Sequence, residues 1–153
     1  MKNLRTALLC ACILLYSLVV SAQPPVIPIN EPDQHKPKLF STLPENITID
    51  PESLVDILKS DRGSQVTLQL GEALLFKGQV VSVARQDNSL TSIVIRSTNF
   101  PGARFTFSRI VNEDKIVYAG RIMSMEHGDV FELQQKEGIY MLVKKNFYDL
   151  INE

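Results

Sequence analysis

Between Phe76 and Lys145 apolar and polar residues alternate in short runs, and each run ends in a cluster rich in Gly, Asn, Asp or Ser. A period of two suits β-strands, whose successive side chains point to opposite faces, and it excludes an amphipathic helix, which needs a period near 3.6. In Arg104-Phe105-Thr106-Phe107-Ser108 the two Phe share one face and the polar residues the other. Val130 to Gln134 sends Phe131 and Leu133 inward and Glu132 outward. The segment Ile116–Met123 is apolar on both faces, which predicts a strand covered on both sides and hence central in the sheet, and Ile139–Val143 is apolar on both faces until Lys144-Lys145. Turn clusters lie at Gln86–Ser89, Asn99–Gly102, Asn112–Asp114, Glu126–Asp129 and Lys136–Gly138. Such residues supply positive φ or local side-chain-to-backbone bonds. The expected fold is mainly β: an antiparallel meander of about seven strands forming a small barrel or sandwich.

Upstream, Gln65–Leu70 reads as the first strand, and Leu74–Ala84 as the next, with a bulge or sharp bend near Gly78, where Val80-Val81 breaks the alternation. Leu90–Arg96 follows. Asp50-Pro51-Glu52-Ser53 opens one short helix, in which Asp50 is the cap, Pro51 suits the first turn and Leu54, Ile57 and Leu58 share a face; Gly63 is placed to end it. Its expected job is to plug one end or face of the sheet, the alternative being a partner-binding helix. At the other end Asn146 is placed to cap a C-terminal helical turn carrying Phe147, Leu150 and Ile151.

The N-terminal third has a different character. Residues 1–22 show the three parts of a secretory signal peptide: Lys2 and Arg5, an uncharged apolar run from Ala7 to Val20, and small residues at Val20-Ser21-Ala22 before Gln23. The run is short for a membrane span, so no membrane-spanning segment is expected after signal removal, although a retained anchor is the alternative. Both cysteines, Cys10 and Cys12, lie inside it, and a mature chain beginning at Gln23 holds together without disulfides. Losing Lys2 and Arg5 moves the net charge from -1 to -3. That balance, with no basic cluster, argues against nucleic acid as a partner. Residues 23–45 read as a tether, with five prolines between Gln23 and Lys38, and 46–153 as a single β-rich domain. Asn46-Ile47-Thr48 fits the N-glycosylation acceptor.

Catalytic chemistry leaves little trace. Glu126-His127-Gly128-Asp129 is the one turn that places an imidazole among carboxylates, and the other His, His35, lies in the tether. A metal site would need a further ligand cluster, and no nucleophile elbow or phosphate loop is present. The expectation is a non-enzymatic protein without cofactor or metal, with a hydrolase using the His127 turn as the remote alternative. Arginines recur through the strands, and Arg96, Arg104, Arg109 and Arg121, with Tyr118 and Tyr140, form the candidate binding patch on the outer face of the sheet. Cross-strand pairing of these arginines with carboxylates is the competing reading.

A signal, a Pro-rich tether and a meander carrying Gly120-Arg121-Ile122, Glu126-His127-Gly128-Asp129 and Gly138-Ile139-Tyr140 together resemble the amino-terminal pro-regions of secreted bacterial metalloproteases, and small exported bacterial β-proteins. The resemblance is one of architecture over Gln65–Lys145. It implies a binding or inhibitory module in a secreted or periplasmic setting, and the first expectation is a module that binds a protein or peptide through an exposed sheet edge. A closed barrel around a small apolar ligand is the second expectation.

Overall fold

The computed structural model describes residues 37–113 and 115–147. Eight antiparallel strands form one sheet: β1 Asn46–Ile49, β2 Gln65–Leu70, β3 Leu74–Gln86, β4 Leu90–Ser97, β5 Ala103–Asn112, β6 Lys115–Ser124, β7 Asp129–Lys136 and β8 Ile139–Asn146. Their order is β1-β8-β7-β6-β5-β4-β3-β2, a meander from β2 to β8 with β1 added beyond β8. The sheet curls into a half-barrel. Its two edge strands approach at Gly71 in the β2–β3 turn, where a Cβ would stand 2.6 Å from the Thr48 carbonyl oxygen of β1. Gly71 also has φ +61, so the same residue answers both demands.

The expected alternation sets the inner face. Val80, Ile95, Phe105, Ile122 and Phe131 are successive cross-strand partners on β3 to β7, and each is at most 1% exposed. Aromatic rings fill the interior as a chain of contacts, in which Phe40 meets Phe131 at 5.5 Å and Phe100 at 5.4 Å, and Phe76 meets Phe105 at 5.8 Å. The chain continues from Phe107 to Tyr118 at 5.7 Å and on to Tyr140 at 5.9 Å. Aromatic pairs in such offset and edge arrangements add about 0.5–1.5 kcal/mol each beyond the area they bury.

Four expectations need adjustment. The strand beyond the expected seven is β1, whose Ile47 and Ile49 face the core while Asn46 and Thr48 face out. The helix is a 3-10 helix over Pro51–Lys59; Asp50 accepts a hydrogen bond from the Glu52 N–H at 3.1 Å as its cap, but the C-cap is Ser60 rather than Gly63. Gly63 instead takes φ +96 in the turn that leads to β2. The helix buries Leu54 and Leu58 in the core, and Arg85 closes its C-terminus by donating to the Leu58 and Ser60 carbonyls. The bulge in β3 falls at Val81, where the register with β4 jumps from Val80 to Ser82. Gly78 stays in regular pairing with Ser97, and the position needs a glycine because a side chain there would strike Ile95 and the Arg96 carbonyl. Finally, β6 is central but not covered on both sides: Ile116 and Val117 are 44% and 41% exposed.

Packing also starts before Asn46. Phe40 is fully buried, with Leu39 and Leu43 against the core, so residues 37–45 form a strap on the domain rather than the end of a tether. The segments 1–22 and 23–36, and all of the C-terminal turn after Phe147, lie outside the described residues.

Candidate functional site

The expected patch divides between the two faces of the sheet. Arg96, Arg104 and Arg121 project from the outer face, each sharing its strand's polar side with residues such as Thr106 and Ser108. Arg109, Tyr118 and Tyr140 belong to the inner side instead, since Arg109 keeps the parity of Phe105 and Phe107 and pairs across to Tyr118. Tyr118 is only 6% exposed. Its hydroxyl donates to Glu52 Oε1 at 2.6 Å, and the Arg109 guanidinium also reaches the hydroxyl. Burial, with the Glu52 carboxylate beside it, holds the Tyr118 phenol above the usual tyrosine range. The interaction ties the 3-10 helix to β6.

On the outer face only Arg121 has a carboxylate, at 2.8 Å from Glu132 Oε1 across the β6–β7 pair. That hydrogen bond keeps the Glu132 carboxyl below its ordinary range against the opposing effect of partial burial. Arg96 and Arg104 are direct cross-strand neighbours, both exposed, and neither guanidinium has an ion-pair or hydrogen-bond partner among the described residues. Like charges set opposite each other in a sheet are destabilising.

The Glu126-His127-Gly128-Asp129 turn receives the strap. His127 Nδ1 stands 2.8 Å from the Pro37 carbonyl oxygen, Lys38 Nζ donates to the His127 and Gly128 carbonyls at 2.9 and 3.1 Å, and the Leu39 N–H donates to Asp129 Oδ2 at 2.6 Å. Asp129 is 5% exposed, and the Glu126 carboxylate lies beside Gly102 in the preceding β4–β5 turn. The imidazole and the Asp129 carboxylate are thus both engaged by the strap that carries Phe40 into the core. Among the described residues no group of three or more His, Cys, Asp or Glu is placed to hold a metal ion, and no helix is long and apolar enough to cross a membrane.

A further feature escapes a strand-by-strand reading. β6 and β7 are paired only from Arg121 to Ser124 against Asp129 to Glu132, although β6 begins at Lys115 and β7 runs on to Lys136. The two strands therefore part beyond the Arg121–Glu132 bridge. Within the gap Tyr140 reaches over from β8 and its hydroxyl accepts a long hydrogen bond, 3.5 Å, from the Tyr118 N–H. Alternate residues of a strand aim both backbone groups at the same neighbour, so Ile116 faces this gap as Tyr118 does, while Gly120, where a Cβ would stand 3.5 Å from Leu133 Cβ, still lies against β7. Clefts of about 370 and 400 Å³ open on its two sides, the outer one lined by Ser108, Ala119, Gly120 and Leu133 and the inner one by Ile116, Ile139 and Tyr140. Ile139 is 53% exposed, the highest value for a large apolar residue among those described. The only trace of this in the sequence is the apolar character of both faces of Ile116–Met123. In comparisons with protein-family models, curated proteins and solved structures, nothing matches the chain.

Proposed function

We propose that the protein is an exported, non-enzymatic binding module that takes an extended segment of a partner protein along the free edge of β6. The observation that carries this is the early end of β6–β7 pairing at Arg121 and Glu132, which leaves strand backbone facing an open gap rimmed by exposed Ile116, Val117 and Ile139. In β-strand addition the backbone hydrogen bonds supply affinity and alternate side chains find pockets. The gap offers both: main-chain groups of Ile116 along one wall, and a cleft on either face for side chains of alternating direction. An interior filled from Phe40 to Tyr140 by touching rings favours this reading over a closed barrel holding a small apolar ligand.

Export rests on the sequence of residues 1–22, and an intact mass beginning at Gln23 on secreted or periplasmic material tests it. A retained Met1, or a lipid mass on Cys12, overturns it. The binding edge is tested by placing a photo-crosslinking residue at Ile116, at Ile139 and, as a control, at Gln65 on the edge strand β2, and irradiating in the exporting cell. Adducts from Ile116 and Ile139 with one common partner are expected. Adducts from Gln65 alone would move the binding edge to β2 and end this reading.

A further inference from the structure

Arg96 and Arg104 are the anomaly of the outer face. They oppose each other on β4 and β5, stand exposed, and lack any counter-charge among the described residues, while Lys77 adds a third positive charge on the same face of β3. The side chains nearest them in the cross-strand rows are neutral: Gln79 beside Arg96, Met123 beside Arg104. Repulsion built into a sheet without an internal counter-ion is relieved by an external anion.

The path out of the β6–β7 gap leads to this pair. A segment laid along the free edge of β6 past Tyr118 meets Gly120 against Leu133, then the Arg121–Glu132 pairing, and must leave the plane of the sheet there. The inner side is occupied by Ile122, Phe131 and Leu133, all buried. The outer side is open: the outer cleft reaches Thr106 and Met123, and Met123 is the cross-strand partner of Arg104. From Arg121 to Arg104 and Arg96 the way is one same-face row along the strands and one to two strands across. At roughly 3.3 Å per residue and roughly 4.8 Å between strands, an extended chain covers that in about three or four residues.

We infer that the partner's segment is a β-forming stretch followed within a few residues by Asp or Glu side chains, which Arg96 and Arg104 hold as charge-assisted pairs on the outer face. Guanidinium groups suit this because their planar donor fork takes a carboxylate in two parallel hydrogen bonds. Lys77 extends the positive field at the far end of the track. The inference rests on the proposed use of the β6 edge and adds the chemistry of the partner residues beyond it.

A random dodecapeptide display library selected against the folded protein tests it. The expected winners carry an alternating β-branched or aromatic stretch and then acidic residues, cross-link to a photo-reactive residue at Ile116, and weaken as salt rises, because exposed charges more than about 10 Å apart are screened at 0.1 M. Against the Arg96→Ser/Arg104→Ser double variant the same peptides should bind roughly tenfold or more weakly, and a fresh selection should keep the stretch and lose the acids. Both changes are on the solvent face and remove a repulsion, so the variant's melting temperature should equal or exceed that of the wild type. Winners that cross-link at Ile116 without acidic enrichment, or that bind the double variant as tightly, overturn the inference and leave the edge reading standing. Acidic winners that do not cross-link at Ile116 overturn both, and so does a selection that yields no binder.

Discussion

The two ends of the same strands behave differently. At the strapped end, pairing is continuous from β3 to β8, and the inner row from Val80 to Phe131 is buried, with Phe40 packed against Phe131. At the other end β6 and β7 diverge, the pairing passes to one tyrosine hydroxyl, and Ile116, Val117 and Ile139 stand in solvent. Both ends are written in similar apolar alternation. What separates them is cover at the β6–β7 seam: the strap docks on the Glu126–Asp129 turn at one end, whereas at the other the 3-10 helix crosses the inner face from Arg85 to Tyr118 and no strand among the described residues pairs with β6 beyond Gly120. Apolar character in a strand therefore marks surface that is to be covered, by the chain itself or by a partner.

The largest effect is expected in the sealed region. Phe105→Ala and Phe107→Ala each remove a ring that is at most 1% exposed. Each should cost roughly 3–5 kcal/mol in denaturant melts, a large share of the roughly 5–15 kcal/mol that holds a domain of this size. Phe40→Ala, in the strap, should cost about 3 kcal/mol, at the low end of the same range because a strap relaxes into the void more easily than a strand. A Phe40→Ala variant that melts like wild type would detach the strap from the core and erase the contrast between the ends.

How much of this is legible in the sequence depends on how local each signal is. Phe105 and Phe107 declare their face because polar residues alternate with them in one unbroken run. The same parity assigns Arg109 to the inner side, yet grouping arginines by charge draws it into the outer patch and so gives charge precedence over geometry. β1 is four residues between prolines, and its Ile47 and Ile49 alternate too briefly to stand out from a linker. Phe40 has no periodicity around it, so its burial depends on the strap's docking at Asp129 and the His127 turn, contacts between residues 90 apart in the chain. The β6–β7 divergence is a property of two strands together and has no signature in either. The Arg121–Glu132 bridge falls in the same class, as its partners meet only in the register of the sheet.

Intermediate effects should come from the tyrosine that lies between the two regions. Tyr118→Phe removes the donor to Glu52 and should cost about 1–2 kcal/mol at neutral pH. Its phenol is raised in the folded protein, so the contribution is intact below the unfolded tyrosine value, near pH 10, and is lost as the pH climbs through the folded value. Wild type should therefore lose stability above about pH 10 more steeply than the Phe variant. Equal slopes would mean that the hydroxyl is not held by Glu52. A smaller effect is expected of Glu132→Gln, about 0.5–1 kcal/mol, because Arg121 is nearly half exposed and solvent screens the pair. Its sign runs the other way: the carboxyl is lowered on folding, so the wild-type advantage holds above the ordinary glutamate range and fades as the pH falls through the folded value.

The smallest expected change in stability is the most informative about the open end. Ile116→Ser and Ile139→Ser each replace a large apolar side chain that is 44% or 53% exposed, so little buried area is lost and both variants should melt within about 0.5 kcal/mol of wild type. Hydrogen exchange supplies the complementary test. Amide protons of Phe105 and Ile122 lie in continuous pairing and should exchange only through global unfolding, while that of Ile116, aimed into the gap, should exchange orders of magnitude faster in the free protein. Tyr118, with only a long bond to the Tyr140 hydroxyl, should fall between them. Slow exchange at Ile116 together with a cost of about 2 kcal/mol or more for Ile116→Ser, the range of a buried aliphatic truncation, would mean that the edge is already covered in the isolated protein. The two ends of the sheet would then be equivalent, and the β6 edge would have no vacancy for a partner strand.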